Sequence, residues 1–204
     1  MIFGVFKCSF SRSDYDLHFK PVDEDCAHIS SFQVKAGGFD GGFMLNNHLP
    51  HGTEDVCYTT SEITVLFSGN IYNREEVTSK GKGNPSMPFP ELIADLYKRD
   101  GPGFVSGLNG DFAICIVLHP FKRLLLFRDH VGIRPLSWSF QNGFMIFSSD
   151  LNSLSSYLSS DESIDSEYLT GYFKYTNLSS TPSRKVRRLL PGHWLKFDES
   201  GIEI

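Results

Sequence analysis

Phe112-Ala113-Ile114-Cys115-Ile116-Val117-Leu118-His119-Pro120-Phe121-Lys122-Arg123-Leu124-Leu125-Leu126-Phe127 is the stretch from which the fold is read. Its first seven residues are continuously apolar, the pattern of a strand covered on both faces rather than one with a wet side. The turn at 119–122 reverses the chain into a second apolar run at 123–127, so the stretch is a hairpin. Downstream, runs at 136–140 and 144–148 flank Gln141-Asn142-Gly143. Asn-Gly marks a tight hairpin, because both turn positions need positive φ and these two residues tolerate it best. Further strands are expected at 2–6, 31–34, 64–67 and 194–197. Helices are expected at 91–99, with Leu92, Ile93, Leu96 and Tyr97 on one face, and at 150–158 behind an Asp150 N-cap. A third, 166–175, carries Leu169, Tyr172 and Phe173 but is weakened at Gly171 by about 1 kcal/mol. Antiparallel strands with segregated helices give an α+β fold, and strands buried on both sides imply two antiparallel sheets sandwiched between helices, αββα.

The composition agrees with one domain of the larger ordinary kind. The chain has 204 residues, 40% hydrophobic and 21% charged, enough apolar material for a sizeable core and too much for wholesale disorder. A net charge of −5 disfavours nucleic acid or an anionic membrane surface as partner. The one basic run, Arg184-Lys185-Val186-Arg187-Arg188, has no interleaved aromatics and reads as a solvated face or docking edge. The run at 112–118 falls far short of the roughly 20 apolar residues that span a bilayer. The beginning, Met1-Ile2-Phe3-Gly4-Val5-Phe6-Lys7, reads as a strand and not a signal peptide. Four cysteines (Cys8, Cys26, Cys57, Cys115) without a C-x-x-C pair suggest reduced thiols and a cytoplasmic protein.

Several constellations have bland readings that win. His48 and His51 with Glu54 and Asp55 lie in an Asn-, Gly- and Pro-rich segment without fixed ligand geometry, so no metal site is expected. The pairs Gly37-Gly38 and Gly41-Gly42 lack the strand-to-helix setting of a phosphate cradle and read as turns. Gly-x-Ser-x-Gly and Gly-x-x-x-x-Gly-Lys-Ser/Thr are both absent.

Function enters through a resemblance carried by five ordered segments between about residues 60 and 198. They are Leu66-Phe67-Ser68-Gly69-Asn70-Ile71-Tyr72-Asn73-Arg74-Glu75-Glu76, Leu108-Asn109-Gly110-Asp111-Phe112-Ala113-Ile114, Arg128-Asp129-His130-Val131-Gly132-Ile133-Arg134-Pro135-Leu136, Phe147-Ser148-Ser149-Asp150-Leu151, and Leu189-Leu190-Pro191-Gly192-His193-Trp194-Leu195. Together they resemble the N-terminal class II glutamine amidotransferase domain, of the N-terminal-nucleophile type, of asparagine-synthetase-like proteins. The resemblance implies that residues 1–198 form that domain and that 199–204 begin a linker toward a C-terminal synthetase domain. It also implies that Arg128, Asp129, Gly132 and Arg134 maintain the fold.

The family's catalytic pattern is altered. Family enzymes begin Met-Cys-Gly-Ile, and the freed cysteine is nucleophile with its own amine as base. Here Met1-Ile2-Phe3-Gly4 stands instead, as though the Cys-Gly pair were dropped. The remnant of the glutamine pocket is Ser68, Gly69, Asn70 and Phe89: the resemblance implies that Ser68 replaces an oxyanion-hole asparagine, Asn70 a carboxylate, and Phe89 the aspartate that pairs with the substrate ammonium.

The resemblance therefore implies a glutaminase-like domain of an ATP-dependent, amide-forming protein, inactive as a glutaminase and acting as structural partner of a synthetase domain or chain. ATP and Mg would belong to that synthetase domain, not to these residues. Two alternatives stand beside it: an active glutamine amidotransferase or other amidohydrolase using a non-standard nucleophile such as Cys8, and a non-catalytic ligand-binding module. Docking onto the synthetase is expected near Tyr168, Tyr172, Phe173, Tyr175 and the 184–188 run. Separated from its partner, the chain would then self-associate as a homo-oligomer.

Overall fold

The computed structural model describes residues 1–7, 29–36, 39–46, 56–81, 86–158, 166–174 and 179–204. Twelve strands are described: β1 (Ile2–Lys7), β2 (Ile29–Ala36), β3 (Phe39–Asn46), β4 (Cys57–Thr59), β5 (Ile63–Ile71), β6 (Gly110–Leu118), β7 (Arg123–Arg128), β8 (Ser137–Gln141), β9 (Phe144–Ser148), β10 (Arg187–Arg188), β11 (Trp194–Asp198) and β12 (Gly201–Glu203). Helices are α1 (Arg74–Gly81), α2 (Phe89–Asp100), α3 (Leu151–Tyr157) and α4 (Ser166–Lys174), with a 3-10 helix Gly101–Gly107 after α2. The strands form two six-stranded sheets, ordered β10-β8-β9-β1-β3-β2 and β12-β11-β7-β6-β5-β4, and every pairing between them is antiparallel.

Alternation along each strand sorts its side chains between two faces. In the second sheet, Leu66, Cys115, Leu124, Leu126 and Phe197 face Ile2, Phe6, Met145 and Phe147 of the first, making the sandwich interior. The Phe6 and Phe197 rings meet edge-to-face across that interior, 6.0 Å apart. The alternate residues Val65, Phe67, Phe112, Ile114, Ile116 and Phe127 pack against Leu92, Ile93 and Leu96 of α2 and Phe104 of the 3-10 helix. On the other side, Val5, Phe144 and Ile146 pack against Leu154 of α3. The result is the expected αββα arrangement. β6 is buried along its whole length because both its faces are covered.

Gly4 allows two aromatics to meet over β1. A Cβ there would lie 2.6 Å from the Phe39 ring and 2.8 Å from that of Phe147, which stack 6.3 Å apart. The Asn142-Gly143 turn has positive φ at both residues, 53° and 83°, and joins β8 to β9 with Gln141 opposite Phe144.

Some boundaries differ from expectation. Gly41 and Gly42 are not a turn: they lie inside β3, opposite Gly4 and Phe3. Pairing on both sides, to β1 and β2, overrides a low strand propensity. Gly37-Gly38 lie outside the described residues. The expected linker at 199–204 contains β12, which pairs with β11 through Asp198↔Gly201 and extends the second sheet. Ser200 donates its N–H to Asp198 Oδ1 at 2.9 Å, closing that turn. α1 was not anticipated, since its residues (REEVTSKG) carry no apolar face.

Candidate functional site

Four of the five motif segments converge at one end of the second sheet, where β5 ends, β6 begins, β7 ends and β11 begins; the remaining one, Phe147–Leu151, ends β9 of the first sheet and opens α3. Gly69 has φ 137°, and a Cβ on it would fall 1.9 Å from the Asp111 carbonyl oxygen. Only glycine permits β5 and β6 to close here. The next pair, Asn70↔Asp111, puts both side chains on the sandwich side.

Asp111 is the hub of this end. Its carboxylate accepts a short hydrogen bond from the Tyr72 hydroxyl, and Arg134 Nε donates to its other oxygen at 2.7 Å. Burial alone would raise the Asp111 carboxyl, but the Tyr72 hydroxyl and the Arg134 guanidinium outweigh it and hold it below the ordinary value. The same bond raises the Tyr72 phenol. Asn73, in the same motif as Tyr72, donates from Nδ2 to the Gly107 carbonyl at 2.9 Å and accepts from the Asn109 N–H at 2.8 Å. It ties the start of α1 to the exit of the 3-10 helix.

The loop after β7 is built by two neighbours with opposite tasks. Asp129 is fully buried, and its carboxylate accepts N–H bonds from Val131, Gly132, Ile133 and Arg134 at 2.5–3.1 Å. Burial would raise its pKa; those four amides prevail and lower it. Arg128 donates instead to three carbonyls, those of Arg134, Leu189 and Gly132, at 2.8, 2.6 and 2.7 Å. The two side chains therefore hold one loop from its two kinds of backbone group. Gly132, at φ 77°, lies against Pro191, and a Cβ would come 2.6 Å from that ring. The Gly192 N–H donates to the Asp129 carbonyl at 2.9 Å, joining the last motif to this loop.

At the head of β1, the Ile2 N–H donates to Ser149 Oγ at 3.0 Å, and α3 begins with the Asp150 carboxylate accepting from the Ser153 N–H at 2.8 Å. Among the described residues the free thiols are Cys57 and Cys115. Cys115 is fully buried in the sandwich interior, and burial pushes its thiol well up. Burial pushes Cys57 up to about 11. Neither is a nucleophile at neutral pH. Cys8, Cys26, His48, His51, Glu54 and Asp55 lie outside the described residues.

Of the four expected pocket residues, Ser68, Gly69 and Asn70 share the end of β5, while Phe89 is placed elsewhere. Its ring meets Phe67 at 5.2 Å, on the helix-covered face of the sheet, and the Arg74 guanidinium lies 4.6 Å above it. Period-two alternation puts Phe67 and Ser68 on opposite faces of β5. Tyr72, Asn73 and Asp111 were inside the quoted motifs yet not singled out. Their signal was a polar residue at each strand terminus, which becomes meaningful only when β5 and β6 are paired.

This architecture, with glycine-dependent closure at the site end of the sandwich, is that of a class II glutamine amidotransferase domain. The profile of the glutamine amidotransferase domain family matches residues 48–204, and the chain belongs to that family. It is 27% identical over 191 residues to asparagine synthetase [glutamine-hydrolyzing] 2 of Bacillus subtilis, an alignment covering 89% of this chain and 25% of that protein. It is 30% identical to asparagine synthetase 1 of the same organism, over 70% of this chain and 23% of that protein. The chain thus spans about a quarter of these relatives. Among solved structures, the Bacillus subtilis glutamine phosphoribosylpyrophosphate amidotransferase superposes with TM-score 0.55 and 16% identity, covering 82% of this chain and 34% of that one. An allosteric regulatory enzyme of purine biosynthesis superposes with TM-score 0.58 and 14% identity over 99% and 48%. No helix among the described residues is long and apolar enough to cross a membrane.

Proposed function

We propose that this amidotransferase domain does not hydrolyse glutamine and serves as structural partner of a synthetase domain related to those of asparagine synthetases. The observation that carries the reading is the chemistry at the head of β1: the strand, Ile2–Lys7, holds no thiol, and the described cysteines are buried elsewhere with raised pKa values. Nucleophilic attack on a carboxamide needs an activated nucleophile beside an oxyanion hole, and in the family this chain resembles that nucleophile is a cysteine thiolate. Recognition is weakened as well. Phe89 is engaged by Phe67 and Arg74, and a phenyl ring supplies no countercharge for a substrate ammonium. The synthetase partner is supported by the relatives, in which the matched region is about a quarter of the length. ATP and Mg would be held there.

Incubation with a thiol-directed glutamine analogue, followed by intact-mass measurement, tests the reading. The mass is expected to stay unchanged. A single adduct whose formation glutamine blocks would overturn it, and its position would identify a non-standard nucleophile.

A further inference from the structure

Among the described residues eight large apolar side chains are exposed, and four of them, Tyr72, Val131, Ile133 and Ile204, stand at the site end of the second sheet, each 58–65% exposed. Scattered exposed apolar residues are ordinary, but four sharing one end of the molecule make a patch, and patches mark interaction surfaces.

The contacts around them bring the four together. The Tyr72 hydroxyl and Arg134 Nε share the Asp111 carboxylate, so Tyr72 stands beside the loop that carries Val131 and Ile133. That loop abuts the start of β11, through the Gly192 N–H on the Asp129 carbonyl and Gly132 against Pro191. β12 returns along β11 with Glu203 opposite Lys196, which brings Ile204 level with Leu195, one residue from that same start. Ile202 pairs with Phe197, whose ring is in the sandwich interior, so alternation turns Ile204 to the sandwich side, the side of Asp111. The loop is also rigid. Asp129 holds the Val131 and Ile133 amides and Arg128 holds three carbonyls around them, so both side chains are presented outward with little left to order on binding.

We infer that this face docks the synthetase domain, with Val131 and Ile133 at its centre and Tyr72 and Ile204 on either side. The inference rests on the reading that such a partner exists, and it names a different surface from the one expected around 166–175 and 184–188. In the relatives the matched region is about a quarter of the length, and β12 delivers residue 204 to this face, so a synthetase domain continuing the chain would begin beside it. Arg134 spends Nε on Asp111 among the described residues, which leaves Nη1 and Nη2 for a carbonyl or carboxylate of the partner.

Site-specific photo-crosslinking in the chain's native cells tests this. The photoreactive residue p-benzoylphenylalanine replaces Val131, Ile133 or, as control, Phe121, which is 65% exposed in the β6–β7 turn at the opposite end of the sheet. Asp129 binds only backbone amides at 131 and 133, so circular dichroism and thermal unfolding should match the parent. Lysine-directed crosslinking of the unaltered chain runs in parallel and reports whether a synthetase domain accompanies it at all. Peptides of an ATP-dependent synthetase domain, in the same or another polypeptide, are expected in adducts from Val131 and Ile133 and not from Phe121. Adducts that join two copies of the chain at 131 and 133 overturn the inference. Synthetase peptides captured by the lysine reagent or at Phe121, but not at 131 or 133, overturn it while leaving the partner reading standing. Synthetase peptides captured by none of these overturn both.

Discussion

At the scale of single residues, the site end is held by groups whose replacement has a readable sign. Gly69→Ala forces a methyl group into the Asp111 carbonyl. It should cost more than about 2 kcal/mol and open the β5–β6 ladder, seen as a lowered urea midpoint with unchanged m-value. Phe89→Asp would supply the carboxylate expected of a glutamine pocket, but it would remove the ring that packs on Phe67 and under the Arg74 guanidinium. The substitution should cost about 1–3 kcal/mol and produce no ammonia from glutamine. Asp198 is held down at about 2, chiefly by the Ser200 hydroxyl and also by Arg123, against the opposing effect of burial. A lowered carboxylate contributes stability above its unfolded value near 4, lost as pH falls toward the folded value. Asp198→Asn should therefore lower Tm at pH 7, and its difference from the parent should vanish between about pH 4 and pH 2.

At the scale of elements, the two central hairpins were legible because their signals are local: a continuous apolar run, and Asn-Gly between alternating strands. α3 was legible through Asp150, whose carboxylate does accept the Ser153 N–H. Asp150→Ala should cost about 1 kcal/mol in thermal or urea unfolding. β3 was hidden because Gly41-Gly42 lowers strand propensity and only pairing to β1 and β2 restores it. α1 was hidden for lack of an apolar stripe, and β12 because a three-residue edge strand has too few residues for a pattern. The site divides in the same way. Arg128, Asp129 and Gly132 lie in one motif and could be read together. Tyr72 and Asp111 are 39 positions apart and become partners only through register. The face on which Phe89 packs is decided by which side of the sheet α2 covers, and no local pattern carries that. Of the expected docking surface, Tyr175 lies outside the described residues, Tyr168 is half-buried, and Val186 is fully buried between solvent-facing basic neighbours.

At the scale of the whole molecule, one interior joins the two sheets, through Phe6 against Phe197 and Phe140 against Phe197. Shared burial couples their stabilities, so the domain should unfold in one transition. Trp138 belongs to the first sheet and Trp194 to the second. Unfolding followed by fluorescence in Trp138→Phe and Trp194→Phe should give transitions of the same steepness, each coinciding with the circular dichroism of that variant; fluorescence that departs from circular dichroism in either would show that the sheets unfold separately. The central claim is that an amidotransferase fold persists here without amidohydrolysis. Ammonia release from glutamine, followed with purified chain over hours, addresses it most directly. The predicted rate equals the protein-free background; release above it that a thiol-directed glutamine analogue abolishes would contradict the account.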